Sequence, residues 1–224
     1  MRSDQKDRKK CAYCDNLATT VDHVPPSNIF TPPLPDNLIT VPACEACNNG
    51  WSADDEVFRN ELSIMAGSFG GSANAAERLK TTMRAIRRNK RFLKDFVCGG
   101  RPVERLLPSG IYLGWGVAVP VTPDVHERVI RRIVRGLFRH HFYVSLGADV
   151  EISLTFIDKT KSTWQKSRAV FCNLQPKYVQ VGDGETFHYY YGSASDDPTF
   201  SFWILVFFRG AAERIVLACT RQCV

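Results

Sequence analysis

The sequence predicts an α+β fold: a small cysteine-organised head followed by a larger α+β body with two basic helices and an antiparallel meander. Three observations carry this. Paired cysteines and clustered prolines fill the first quarter of the chain, two long amphipathic helical patterns come next, and the last third alternates with a period of two between short turns. Hydrophobic residues make up 44% and charged residues 23% of 224 positions, which suits a packed core and excludes a disordered chain. No apolar run approaches the roughly 18–20 residues of a membrane helix. The first ten residues, MRSDQKDRKK, lack the apolar stretch of a secretory signal, so a cytoplasmic setting is expected.

Taken in order, residues 1–10 read as a flexible basic arm, 11–66 as the head and 72–224 as the body. Thr19-Thr20-Val21 reads as a short strand and Leu38-Ile39-Thr40-Val41 as a second strand or an extended run into the second cysteine pair, with the proline-rich stretch from Pro25 to Pro35 as a loop between them. Ser52 and the acids after it start a helix running through Met65, and Gly67 to Gly71 break it. Asn74 to Val97 reads as one long helix with Leu79, Met83, Ile86, Leu93 and Val97 on one face. Residues 103–121 read as strands around a Pro108-Ser109-Gly110 turn. Thr122-Pro123-Asp124 (a capping hydroxyl, a first-turn proline, an acid) opens a helix to about Phe142. Val150–Ile157, Tyr178–Val181, Phe187–Tyr191, Phe200–Phe208 and Arg214–Cys219 read as strands of a meander.

Four of the eight cysteines form two identical pairs, Cys11-Ala-Tyr-Cys14 and Cys44-Glu-Ala-Cys47. Two such knuckles match a structural Zn²⁺ site, because a CxxC turn presents two thiolates at the bite of a tetrahedral ion. A disulfide framework ranks lower without a mark of secretion, and a thioredoxin-like motif lower still without its strand-then-helix setting. Cys98, Cys172, Cys219 and Cys223 read as small buried hydrophobes.

The formal charge of +6 is uneven. Residues 1–60 carry a net −3 and residues 61–224 a net +9. Eight basic residues crowd 78–94 and five arginines crowd 128–139, with few acids beside them. Unbalanced basic helices repel themselves unless a partner neutralises them, and a nucleic-acid backbone does so. Candidate phosphate contacts are Arg84, Arg87, Arg88, Lys90 and Arg91 on the first helix. On the second they are Arg128, Arg131, Arg132 and Arg135, whose alternative is pairing with acids elsewhere in the fold.

Between the knuckles stands Asp22-His23-Val24-Pro25-Pro26, then Asp36-Asn37-Leu38, and Asn48-Asn49 directly succeeds Cys47. This order of CxxC, Asp-His, Asn-Leu and CxxC-Asn resembles the HNH endonuclease family, over about residues 11–60. The resemblance implies a ββα-metal head braced by structural zinc at Cys11, Cys14, Cys44 and Cys47. It also implies metal-dependent hydrolysis of DNA phosphodiesters, a chemistry with bacterial defence among its settings. By resemblance His23 is the general base and Asp22 a ligand of a catalytic divalent ion. Asn37 orients the histidine loop. Asn48 is the last metal-site residue, where many members have histidine, with Asn49 the adjacent alternative. An amide oxygen there favours Mg²⁺ or Mn²⁺. Neighbours on a regular strand point opposite ways, so Asp22 and His23 are expected at a strand end, where the backbone turns and both converge on one phosphate.

Two rival functions stand beside this one: a zinc-ribbon-like nucleic-acid-binding module without nuclease activity, and an RNA-directed nuclease. Double-stranded DNA is the expected partner, with a homodimer or partner protein open. Asp54, Asp55 and Glu56 read as first-turn acids of a helix, His141 as a core histidine, and Phe187 to Tyr191 as an ordinary strand.

Overall fold

The computed structural model describes residues 10–68, 73–88, 94, 99–106, 109–118, 120–157, 175–194, 197, 199–210 and 213–222. Among them the chain is mixed α+β, with four helices and three antiparallel sheets. Strands β1 (Thr20–Val24) and β2 (Ile39–Ala43) form a hairpin, succeeded by the short helix α1 (Glu45–Gly50) and by α2 (Ser52–Ser68). Helix α3 spans Ala73–Arg88, β3 (Arg101–Leu106) pairs with β4 (Tyr112–Ala118), and α4 spans Pro123–Phe142. The last sheet holds β5 (Val150–Ile157), β6 (Lys177–Val181), β7 (Phe187–Ser193), β8 (Ser201–Phe207) and β9 (Arg214–Gln222) in the order β5-β9-β8-β7-β6. Strands β6 to β9 are thus the expected meander, and β5 joins at its β9 edge.

Several boundaries differ from expectation. Strand β1 runs three residues further, through Asp22, His23 and Val24, because these pair with Val41, Thr40 and Ile39 of β2. Helix α2 runs through Gly67 to Ser68. The expected helix from Asn74 is described as far as Arg88; Lys90, Arg91 and, Lys94 apart, the rest of positions 89–98 lie outside the described residues. Its buried side carries Ala75, Arg78, Thr82 and Ile86, so Arg78, expected on the charged face, turns inward and donates to the Asn28 carbonyl. Cys219 is exposed on β9, not buried, while Cys98, Cys172 and Cys223 lie outside the described residues.

One hydrophobic cluster joins these pieces. It runs from Val24, Ile39 and Val41 of the hairpin through Phe58 and Leu62 of α2 and along Val129, Ile133 and Leu137 of α4. It ends at Tyr189, Trp203 and Phe207 of the large sheet. Helix α4 is therefore the shared spine of the N- and C-terminal parts. Its approach to the hairpin is set by Gly136, where an added Cβ would lie 2.6 Å from Val24 Cγ2 and 3.1 Å from the Tyr13 hydroxyl. Gly136→Ala is expected to lower stability by about 1–3 kcal/mol, read as a reduced midpoint in urea unfolding with unchanged slope.

The start of α4 is capped differently from expectation. The Thr122 hydroxyl donates to Glu61 Oε1 at 2.7 Å, its N–H donates to Glu61 Oε2 at 3.0 Å, and His126 Nε2 meets the same oxygen at 2.8 Å. Burial raises the Glu61 carboxyl, but these hydrogen bonds outweigh it and hold the group below its usual range. His141 behaves as expected of a core histidine: its Nε2 lies 2.7 Å from the Tyr189 hydroxyl and its ring stacks on Tyr191. Burial lowers its pKa to about 4, so it stays neutral at physiological pH.

Candidate metal centre

The first knuckle begins a tight turn closed by Cys11 N–H donating to Asn16 O, and Ala12 N–H binds Pro42 O at the outer edge of β2. The second knuckle leads straight from β2 into α1, with Cys44 as the helix N-cap. Hairpin pairing thereby brings residues 30 positions apart together. The ligand atoms of Cys11, Cys14, Cys44 and Cys47 all lie within 4.8 Å of one another. Cys14 Sγ lies 3.7 Å from Cys44 Sγ and 3.6 Å from Cys47 Sγ. A tetrahedron built on ~2.3 Å Zn–S bonds has edges of about 3.8 Å, so these thiols fit zinc and are too far apart for disulfides. Backbone N–H groups point at the sulfurs, from Tyr13 to Cys11 and from Cys47 to Cys44, both at 3.4 Å. The Cys47 amide lowers the Cys44 thiol to about 7, whereas burial and the neighbouring thiols push Cys47 up in the metal-free cluster. The cluster can hold a metal ion such as zinc.

Asp22 and His23 lie inside β1, opposite Val41 and Thr40. The expectation that they sit at a turning strand end is therefore corrected: regular pairing alternates them. Asp22 points inward, 9% exposed, and its Oδ2 accepts the Tyr13 hydroxyl at 2.7 Å, with Arg132 Nε at 3.9 Å. His23 lies half-buried on the outer face beside exposed Val21, with no hydrogen bond among the described residues.

Asn48 on α1 reaches back to β1. Its Nδ2 donates to Val21 O at 3.1 Å and to Thr20 Oγ1 at 3.2 Å. Val21 and Pro42 form a non-hydrogen-bonded pair of the ladder, with Pro42 O turned out to Ala12 N–H, so the Val21 carbonyl likewise faces away from β2. Asn48 Oδ1 is left without a hydrogen bond among the described residues. Asn49 is exposed and makes no such link, so Asn48 is the residue that touches the Asp-His strand.

Asn37 does not orient the histidine loop. Its Nδ2 donates to Gln180 O at 3.0 Å and its Oδ1 accepts Gly182 N–H at 2.7 Å, across the β6–β7 turn. Both ends of the amide are used to tie the N-terminal loop to the large sheet. Asn37→Ala is expected to cost about 1–3 kcal/mol of stability. Loosened amide protection at Gly182 in hydrogen exchange would check it.

The arginines of α4 are mostly consumed within the fold by internal partners. Arg132 is 4% exposed and bonds Asp55 Oδ1 at 2.5 Å, so it is corrected from a phosphate contact to a buried ion pair. Arg128 holds Asp54 through two bonds of 2.8 and 2.9 Å, Arg131 holds Glu127 at 3.0 Å, and Arg135 donates to Leu146 O and Gly147 O. The first-turn acids Asp54 and Asp55 therefore serve α2 and clamp it to α4 as well. A cleft of about 560 Å³ opens beside the first knuckle, lined by Lys10, Tyr13, Trp51, Arg128, Arg131 and Arg135 among others. Arg84, Arg87 and Arg88 on α3 are exposed as expected. Tyr13, which binds Asp22, Trp51, whose ring lies 5.5 Å from the Arg132 guanidinium, and Asp55, which pairs with Arg132, carry no motif signal; tertiary packing brings them together.

Compared with family models, curated proteins and solved structures, the chain matches none. No helix among the described residues is long and apolar enough to cross a membrane.

Proposed function

We propose that the chain is a zinc-organised HNH-type endonuclease that hydrolyses DNA phosphodiester bonds with a hard divalent cation, Mg²⁺ or Mn²⁺. The observation that carries this reading is the contact of Asn48 with β1 directly beside Asp22 and His23, in a β1–β2–α1 unit whose two turns hold the four cysteines. Among the described residues no strand pairs with the second edge of β1. A phosphodiester lying across that edge meets Asp22 and Asn48 from the inner side and His23 from the outer side, so alternation need not separate the groups functionally.

The donor set suits a hard ion. Asp22 Oδ1 and Asn48 Oδ1 are oxygens without hydrogen bonds among the described residues, and Arg132 is engaged chiefly by Asp55. The cation, when bound, supplies Lewis-acid stabilisation of charge on the scissile phosphate and the leaving oxygen. His23, without a hydrogen-bond partner among the described residues, takes the proton of the attacking water. Tyr13 and Arg132 hold the Asp22 carboxylate in place. Arg84, Arg87 and Arg88, with Lys10 at the cleft mouth, supply backbone grip whose strength falls with salt.

The test is incubation of the zinc-loaded chain with supercoiled plasmid. Nicking that requires Mg²⁺ or Mn²⁺ is expected, and matched DNA and RNA duplexes report the preferred polymer. A second reading, a zinc-ribbon-like nucleic-acid reader, is favoured by the inward lock of Asp22 onto Tyr13 and Arg132. Its signature is salt-sensitive DNA binding with no cleavage under any divalent ion.

A further inference from the structure

The β3–β4 hairpin stands apart from the rest of the architecture. Its pairing is Pro102 with Val117, Glu104 with Trp115 and Arg105 with Gly114, and then the register shifts so that Leu106 faces Tyr112 and Leu113 is left over. That bulge moves Tyr112 onto the side of Trp115 and Val117. One side of the ribbon (Val103, Arg105, Gly116, Ala118) turns toward Glu61, Ile64 and Met65 of α2 across a cavity of about 390 Å³, which Val117 also borders. The other side presents Pro102, Glu104, Leu106, Tyr112, Trp115 and Val117, all exposed. Trp115 is 66% exposed and Val117 63%. An isolated two-stranded ribbon is marginal in water, and large exposed aromatic faces mark contact surfaces.

We infer that this outer face is a dimerisation surface, and that its occupant is the same face of a second copy of the chain. Charge argues against the other polymers this protein is proposed to meet. Both arginines of β3 lie on the inner side of the ribbon and Glu104 is the only charged residue on the outer side, so the face repels polyanions and anionic lipid. Area argues for a second copy. The exposed parts of Leu106, Tyr112, Trp115 and Val117, with Ile111 at the tip and Leu113 in the bulge, offer about 700 Å², near the ~800 Å² that each side gives a stable interface. A two-fold contact uses one patch twice, which a lone apolar face on a single ribbon satisfies. Trp115, between Tyr112 and Val117, is the anchor.

Dimerisation through this face is independent of the proposed activity, and its test does not read activity. Sedimentation of the zinc-loaded full chain at micromolar concentration is expected to show a dimer. Trp115→Glu is expected to weaken it by about tenfold or more, toward monomer, with unchanged far-UV circular dichroism and zinc content. Val117→Lys, a second exposed position, is expected to do the same and decides the matter if the first variant misfolds. A monomeric wild type overturns the inference, including one that binds neutral lipid vesicles through this face. So does a dimer that resists both substitutions.

Discussion

His23→Ala is expected to slow phosphodiester cleavage by about 10²–10⁴-fold, the range for loss of a general base, while zinc content and thermal unfolding stay unchanged. The separation of effects comes from where the side chain lies. His23 is half-buried on the outer face of β1, and no described residue hydrogen-bonds to it, so its truncation breaks no hydrogen bond among the described residues. Single-turnover nicking of plasmid with excess protein measures the loss free of product release. Partial rescue by added imidazole would identify proton transfer as the missing function. Asp22→Ala makes the instructive contrast. It removes the acceptor of the Tyr13 hydroxyl beneath Arg132, so it is expected to lower stability as well as rate. A His23 variant that cuts as fast as the parent chain would sink the assignment of the base.

Cys44→Ser is expected to have the largest structural effect. Cys44 is a buried member of the thiol cluster, and it caps α1 by accepting the Cys47 N–H. Serine keeps a capping oxygen but does not offer a thiolate, so the variant separates capping from metal binding. Structural zinc in small domains is worth on the order of 10 kcal/mol of folding free energy, more than most domains possess in reserve. The effect will not stay local, because Val24, Ile39 and Val41 of the same hairpin belong to the cluster that runs through α4 to Trp203. The expected result is loss of bound zinc together with a large fall in Tm across the chain, read by metal analysis and circular dichroism. Undiminished zinc in the variant would show that the four cysteines do not form one site.

The parts of this molecule visible in its sequence are those encoded by local pattern. The period-two runs from Val150 onward, the 3.6-residue stripe of Val125, Val129, Ile133 and Leu137, and the twin CxxC spacing each name their own structure. The features that escaped were set by partners far along the chain. Asn37 is tied to Gln180, 143 residues away, and Arg132 to Asp55, 77 residues away, and neither link leaves a trace in spacing. The basic stripe of α4 had two physical resolutions, an external polyanion or internal acids, and only tertiary geometry decides between them. The orientation of Asp22 and His23 turned on three residues of strand length. Ending β1 at Val21 frees them to converge, whereas extending it to Val24 puts them on opposite faces. The pairing of Asp22, His23 and Val24 with Val41, Thr40 and Ile39 made that choice, and it explains why a motif can be legible while its geometry is not.

The central claim is that a hard divalent cation is held at the edge of β1 by Asp22 and Asn48, apart from the zinc held by the cysteines. Titration of Mn²⁺ into the zinc-loaded chain, monitored by electron paramagnetic resonance of the free ion, tests this most directly. The account predicts one bound Mn²⁺ per chain, weakened in Asn48→Ala while zinc stays in place. Chain that binds DNA yet leaves all Mn²⁺ free, or binds it equally well without the Asn48 amide, would contradict it.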